Sequence, residues 1–281
     1  MPHASDDQTV MTRQYCHIGA RTMAYLDSAP GSTLRTYMLL HAFPLGAGMW
    51  EPQTRAIPEG WRLITLDLRG FGGSTDSDDS AGALSMDDYA ADVVDLLGEL
   101  NVARAVIGGL SMGGYAAFAL LRRAPALVEA LILADTRAGE DTPEGRANRR
   151  NMLALVDREG SSGVAREMIP KLLGRTSRET DTSLEPVLRR MIKQHSASAI
   201  RGAILRMMHR PDSMPLLSDI QVPTLVIVGD EDELTPVAES ERMAAAIPGA
   251  RLVVISSAGH LPNLEQPDAF NRAVDTFLRS L

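Results

Sequence analysis

Short apolar runs alternate with longer amphipathic ones along this chain. Tyr37–Leu40 (YMLL), Arg62–Leu66 (RLITL), Ala105–Ile107, Ala130–Ala134 (ALILA), Thr224–Val228 (TLVIV) and Arg251–Ile255 (RLVVI) are too short for helices. They are rich in Val, Ile and Leu and read as buried strands. Helical patterns fall between them. Ser85 is placed to cap a helix over Met86–Leu100, with Asp88 at the third helical position and Tyr89, Val93, Leu96, Leu97 and Leu100 at helical spacing. Thr235-Pro236 reads as a cap and a first-turn proline before Val237–Ile247, and Pro267 precedes a helix over Asp268–Leu278. The alternation predicts an α/β fold: a mostly parallel sheet with helices on both faces.

One region breaks the rhythm. From Arg137 to Asp212 no strand is evident, and the pattern predicts several short helices broken at Gly160, Gly163, Pro170, Gly174 and Pro186. The expected organisation is a core domain in two parts, residues 1–136 and 213–281, with a helical cap over 137–212. The region holds 15 of the 28 Lys and Arg and 10 of the 36 Asp and Glu, a balance of +5 against −13 for the rest. It also carries Met152, Met168, Met191, Met207 and Met208. A solvated helical insertion accounts for the charges. A cap over an active site accounts for the methionines as adaptable lining.

Composition narrows the function classes. The chain has 281 residues, 44% hydrophobic and 23% charged, with a formal net charge of −8. That is an ordinary globular balance, and it recruits neither nucleic acid nor an anionic membrane. With Cys16 alone, no internal disulfide can form, which fits a reducing compartment. The N-terminal stretch MPHASDDQTVMTRQ has no apolar core and does not read as a signal peptide. No run of about 18 apolar residues occurs. A soluble, cytoplasmic protein is expected.

The candidate chemistry sits in IGGLSMGGYAA, Ile107 to Ala117. An apolar strand leads into Gly109-Leu110-Ser111-Met112-Gly113, and an Ala-rich, helix-prone run leaves it. G-x-S-x-G in that context is a sharp strand-to-helix turn that exposes a serine at the sheet's carboxyl edge, with glycines where strand and helix approach too closely for side chains. A serine hydroxyl needs a base, which a carboxylate orients. The order expected on such a sheet is Ser, then Asp or Glu, then His. His3, His17 and His41 precede the serine, and His195 and His209 fall in the presumed cap. Only His260 follows the last strand, in SSAGHLPNLEQP, so it is the candidate base. The carboxylate should follow the preceding strand, where VGDEDELTP offers Asp230, Glu231, Asp232 and Glu233. Asp230 still follows the strand direction, whereas Asp232 sits mid-loop with room to turn back. Two backbone N–H groups should complete an oxyanion hole: that of Met112, after the nucleophile, and that of Phe43, after the strand Tyr37–Leu40. His41 reads as structural, and Trp50 as either an acyl-pocket or a core residue. There is no dinucleotide or P-loop glycine pattern, no H-E-x-x-H, and no cysteine-rich zinc site.

With these residues the chain resembles the α/β-hydrolases with a helical cap, from about Tyr15 to Leu281. HAFP is similar to the family's H-G-x-P oxyanion segment, with Ala42 at the glycine. DLRGFGGS (Asp67–Ser74) resembles its D-x-R-G-x-G-x-S loop. Gly229, Asp232, Thr235 and Pro236 match its G-x-x-D-x-x-T-P pattern, which points to Asp232 as the triad acid. GLSMGG, AGHLPNLEQPDAF and MWEPQ are similar to 3-oxoadipate enol-lactonases and related small esterases. Enol-lactonases carry an N-S-L-G type sequence at the oxyanion segment, so this chain departs from them there. Dehalogenases and epoxide hydrolases place aspartate where Ser111 stands. The resemblance implies a serine hydrolase acting on a small-molecule ester or lactone with Ser111, Asp232 and His260, without metal or cofactor. Enol-lactone hydrolysis, carbon–carbon bond hydrolysis and cofactor-free perhydrolysis use the same triad, and a non-catalytic ligand receptor is the alternative from another class.

Overall fold

The computed structural model describes residues 11–75 and 84–281. His3 and the first ten residues of the N-terminal stretch lie outside them. Eight strands form one sheet: β1 Arg13–Ile18, β2 Arg21–Asp27, β3 Arg35–Leu40, β4 Trp61–Leu66, β5 Ala105–Leu110, β6 Val128–Ala134, β7 Thr224–Gly229 and β8 Arg251–Ile255. Their order is β1-β2-β4-β3-β5-β6-β7-β8. From β4 to β8 all neighbours are parallel, while β2 runs antiparallel to both β1 and β4. The six strands read from the sequence are all present. β1 and β2 are the additions. RQYCHI alternates exposed and half-buried positions at the sheet's edge, so it lacks the apolar run that marks the central strands.

The helices are α1 Glu51–Thr54, α2 Met86–Glu99, α3 Met112–Arg123, α4 Pro143–Leu172, α5 Arg175–Thr180, α6 Leu184–Lys193, α7 Ala197–Met208, α8 Val237–Ala246, α9 Pro262–Glu265 and α10 Pro267–Arg279. Strand order reverses at β3, where the connection to β4 runs one way and that from β4 to β5 the other. Right-handed crossovers then place helices on opposite faces. Accordingly α2 packs on α3, while α1 packs on α10. β4, β5 and β7 are buried along their whole length between these layers.

Local signals are met in detail at α2. The Ser85 hydroxyl accepts from the Asp87 amide and the Asp88 carboxylate accepts from the Ser85 amide, both at 3.2 Å, closing a capping box. At α8 the expectation is corrected. Pro236 is the cap residue, and Thr235 turns its hydroxyl to Asp232 instead. Between β6 and β7 the chain forms α4–α7 and a 3-10 turn, with no strand. Gly160 (φ 60, ψ −157) interrupts α4, and Gly174 stands between α4 and α5, as expected. Gly163 and Pro170 lie inside α4, and Pro186 lies inside α6. A helical run with tertiary support tolerates them, so the segment has fewer breaks than its composition implies.

Candidate active site

The turn at Ser111 is held by two hydrogen bonds and two close backbone approaches. Ser111 has φ 55 and ψ −111, a left-handed backbone unusual for a side-chain-bearing residue. Its amide donates to the Ala134 carbonyl at 2.9 Å, and its carbonyl accepts from the Thr136 hydroxyl at 2.8 Å. A Cβ on Gly109 would lie 2.2 Å from the Gly113 backbone, and one on Gly113 would lie 2.1 Å from the Leu40 carbonyl oxygen. Glycine is therefore required on both sides of the serine for β3, β5 and α3 to converge. Met112 opens α3, so its N–H is among the four that have no intrahelical acceptor.

Ser111 and His260 line one cavity of about 690 Å³, together with Phe43, Tyr115, Leu234 and residues of α4. His260 is buried, and its Nδ1 lies 2.8 Å from Asp232 Oδ2. Asp232 is buried too. Its Oδ1 accepts from the Leu234 and Thr235 amides at 2.8 and 3.0 Å, and its Oδ2 from the Thr235 hydroxyl at 2.5 Å. Burial opposes the charge on Asp232. The neighbouring His260 and the Thr235 donors outweigh it and hold the carboxyl below the usual range.

The other loop acids are occupied elsewhere. Asp230 is exposed, and among the described residues its carboxylate meets only the Ala258 amide, at 3.4 Å. Glu231 accepts from the Thr176 amide and hydroxyl at 2.8 and 2.6 Å, tying α5 to the sheet edge. Glu233 is exposed at the cavity rim. His41 is fully buried, with Nδ1 on the Ala42 carbonyl and Nε2 accepting from the Leu68 amide, each at 3.0 Å. Trp50 is buried against Phe270, away from the cavity.

Three residues that the sequence reading passed over belong to this neighbourhood. Glu265 accepts from the Gly259 and Leu261 amides at 2.9 and 3.1 Å and from the Gly174 amide at 2.7 Å. It thus grips the backbone on both sides of His260. Asp135 lies fully buried beside Asp232 and His260. Arg137 lines the cavity and donates to the Leu234 carbonyl, with its Nε buried and without a partner among the described residues. ADTRAG after β6 has the form of a loop start, and nothing in its spacing reports that it folds under the β7 loop.

The methionine and charge expectations divide. Met152, Met168 and Met207 line the cavity, while Met191 packs near Gly48. Among the cavity's basic residues, Arg149 is paired with Asp141 at 3.1 Å, Lys171 with Glu167 at 2.5 Å and Arg158 with Glu159 at 2.8 Å. Arg137 has no carboxylate partner among the described residues.

The sequence profile of the alpha/beta hydrolase fold matches residues 38–267. A 3-oxoadipate enol-lactonase of Acinetobacter baylyi is 28% identical over 83% of this chain and 85% of its own length. A 2-hydroxy-6-oxononadienedioate/2-hydroxy-6-oxononatrienedioate hydrolase of Escherichia coli is 29% identical over 86% of each. Among solved structures, a thermophilic esterase from Thermogutta terrifontis, with malate bound, is 38% identical, with a TM-score of 0.87 over 96% of this chain and 98% of that one. Sequence profile, relatives and sheet order agree, and the chain belongs to the α/β-hydrolase fold family.

Proposed function

We propose that this protein hydrolyses carboxylic esters of small molecules through an acyl-enzyme on Ser111. The observation that carries this reading is the 2.8 Å His260–Asp232 hydrogen bond at a cavity that the strained Ser111 turn also lines. Ser111 Oγ attacks the ester carbonyl while His260 Nε2 takes its proton. Asp232 keeps the other proton on Nδ1 and stabilises the imidazolium. The Phe43 and Met112 amides bind the oxyanion. His260 then protonates the leaving alkoxide, and water, activated by the same imidazole, releases the acid. These steps call for no metal and no cofactor.

Residues 137–212 act in this reading as a cap that shapes the cavity. A lactone is a cyclic ester and follows the same steps, and the Acinetobacter relative supports that substrate form. Carbon–carbon hydrolysis would need a substrate that the triad can activate as a ketone, the chemistry to which the Escherichia coli relative's name points. The lone cysteine supports a cytoplasmic location; no helix of the described residues is long and apolar enough to cross a membrane. Turnover of short p-nitrophenyl esters separates an enzyme from a ligand receptor, and a panel of esters and lactones ranks the substrates. We predict that Ser111→Ala lowers kcat/KM by about 10³-fold or more and abolishes labelling by a fluorophosphonate. Equal labelling of the variant would remove Ser111 from the role.

A further inference from the structure

Behind Asp232 lies an ionisable group for which the proposed reaction has no use. Asp135 follows β6 with a left-handed backbone (φ 43), and its side chain is fully buried. Its Oδ1 accepts from the Gly229 amide at 2.9 Å, and its Oδ2 is buried and receives no donor among the described residues. One carboxylate oxygen each from Asp135 and Asp232 and one ring nitrogen of His260 lie within 4.8 Å of one another.

Two carboxyls buried this close do not both ionise. The donors decide which one does. Two amides, a hydroxyl and an imidazole point at Asp232, and one amide points at Asp135. The negative charge therefore sits on Asp232 and the proton on Asp135. Burial first, and then the Asp232 charge, push the Asp135 carboxyl well above the usual range against the pull of the Gly229 amide. With Oδ1 engaged as an acceptor, Oδ2 carries the proton. An oxygen that receives no donor is suited to be the hydroxyl, and the Asp232 carboxylate in the same cluster stands ready to accept from it.

We propose that Asp135 is a neutral acid that positions Asp232, and that it ionises to support the His260 cation when the Asp232 charge is removed. It is a positioning residue, because it acts through Asp232 and touches no reacting atom. The inference rests on Ser111, Asp232 and His260 forming the triad. In the wild type, Asp135 keeps its proton. In Asp232→Asn the repelling charge is gone, the Asp135 proton leaves to solvent, and a carboxylate remains inside the cluster.

The test is a double-mutant cycle in ester turnover over Asp135→Asn, Asp232→Asn and their combination, with unfolding midpoints recorded for each. The carboxamide at 135 keeps an acceptor for Gly229 and a donor for Asp232, so Asp135→Asn should lower kcat by about threefold and leave KM in place. Asp135→Leu, which removes both, should lower kcat at least tenfold further. Asp232→Asn should lower kcat by about 10³–10⁴-fold. The double variant should fall at least tenfold below the product of the two single effects, because no carboxylate remains to support the imidazolium. If Asp135→Asn is recovered unfolded, Asp135→Ser, with a hydroxyl that both accepts and donates, takes its place. A double variant equal to the product of the singles would overturn the reserve role. A loss of 100-fold or more in kcat for Asp135→Asn alone would overturn the neutral state. Wild-type turnover by Asp232→Asn would instead strike the triad reading, before any Asp135 variant is considered.

Discussion

Asp232 and His260 stand 28 positions apart in the chain and 2.8 Å apart in space. At the scale of single residues, the four acids of VGDEDELTP differ in burial and in the number of donors aimed at them. Asp232 is buried and receives four hydrogen bonds, whereas Asp230 is exposed and receives one long one. We predict that Asp232→Asn lowers kcat by about 10³–10⁴-fold through the wrong imidazole tautomer. Asp230→Asn should cost about tenfold or less, because an exposed loop charge contributes little. Parallel single-mutant kinetics with the reverse ranking would transfer the role. The Ser111 turn is argued at the same scale. Gly113→Ala places a methyl 2.1 Å from the Leu40 carbonyl oxygen, where backbone has no room to yield. Its expected cost is about 3 kcal/mol of unfolding free energy, readable by denaturant titration. A midpoint like that of the wild type would mean that β3 and α3 separate more easily than this contact implies.

At the scale of elements, the loop bearing His260 is positioned by the helices around it. Glu265 of α9 takes the amides of Gly259 and Leu261, and the His260 amide donates to Leu172 at the end of α4, at 3.1 Å. Glu265→Gln puts an amide donor where acceptors are needed. We expect kcat to fall by about tenfold, with KM nearly unchanged, because the error lies in the angle of the imidazole. An unchanged kcat would release the loop from this control. The segment between β6 and β7 also meets the core at His195, between α6 and α7. Its ring packs edge-on to Phe71, which packs edge-on to His41. Burial, and then the neighbouring His41, lower its pKa from 6.5 to about 4, against the pull of Asp67 and the Leu45 carbonyl. Between these values the unfolded chain holds a proton that the native state lacks. Stability therefore falls as pH drops from about 6.5 and reaches its floor near 4, a change on the order of 3 kcal/mol. His195→Gln should flatten the difference between denaturation at pH 7 and at pH 4.5. The carboxylates contribute equally to both proteins, so an unaltered slope would show that His195 is solvated.

At the scale of the molecule, the −13 balance of the chain outside 137–212 and the +5 inside it do not reach the cavity as a simple basic field. Arg149, Lys171 and Arg158 are each answered by a nearby acid. Among the described residues that line the cavity, Arg137 is the cation without a carboxylate partner. We predict that an ester bearing a carboxylate gains over its neutral analogue as ionic strength falls. Arg137→Gln should lower the ratio of their kcat/KM values by about tenfold, the scale of one hydrogen bond to a charged group. Equal ratios in both proteins would place the selectivity elsewhere.

The sequence by itself determined those features whose causes are local. Apolar runs of three to five residues mark the interior strands of the parallel sheet, which are buried on both faces, so the central sheet was legible without any partner. Ser85 and Asp88 lie three residues apart on one turn, and their capping box needed nothing else. The glycines around Ser111 record a clash between neighbouring elements, which leaves its mark on composition. Edge strand β1 was not legible, because an exposed edge asks for no apolar run. Thr235 was misread because a cap signal cannot report that a carboxylate three residues earlier will claim the hydroxyl. Asp135, Arg137 and Glu265 acquire their meaning from groups about 90, 100 and 5 positions away, through distances set only once β6, β7 and the final loop are packed. Tertiary structure alone decided which carboxyl meets which proton, because burial and the count of donors belong to the folded environment and to no residue in isolation.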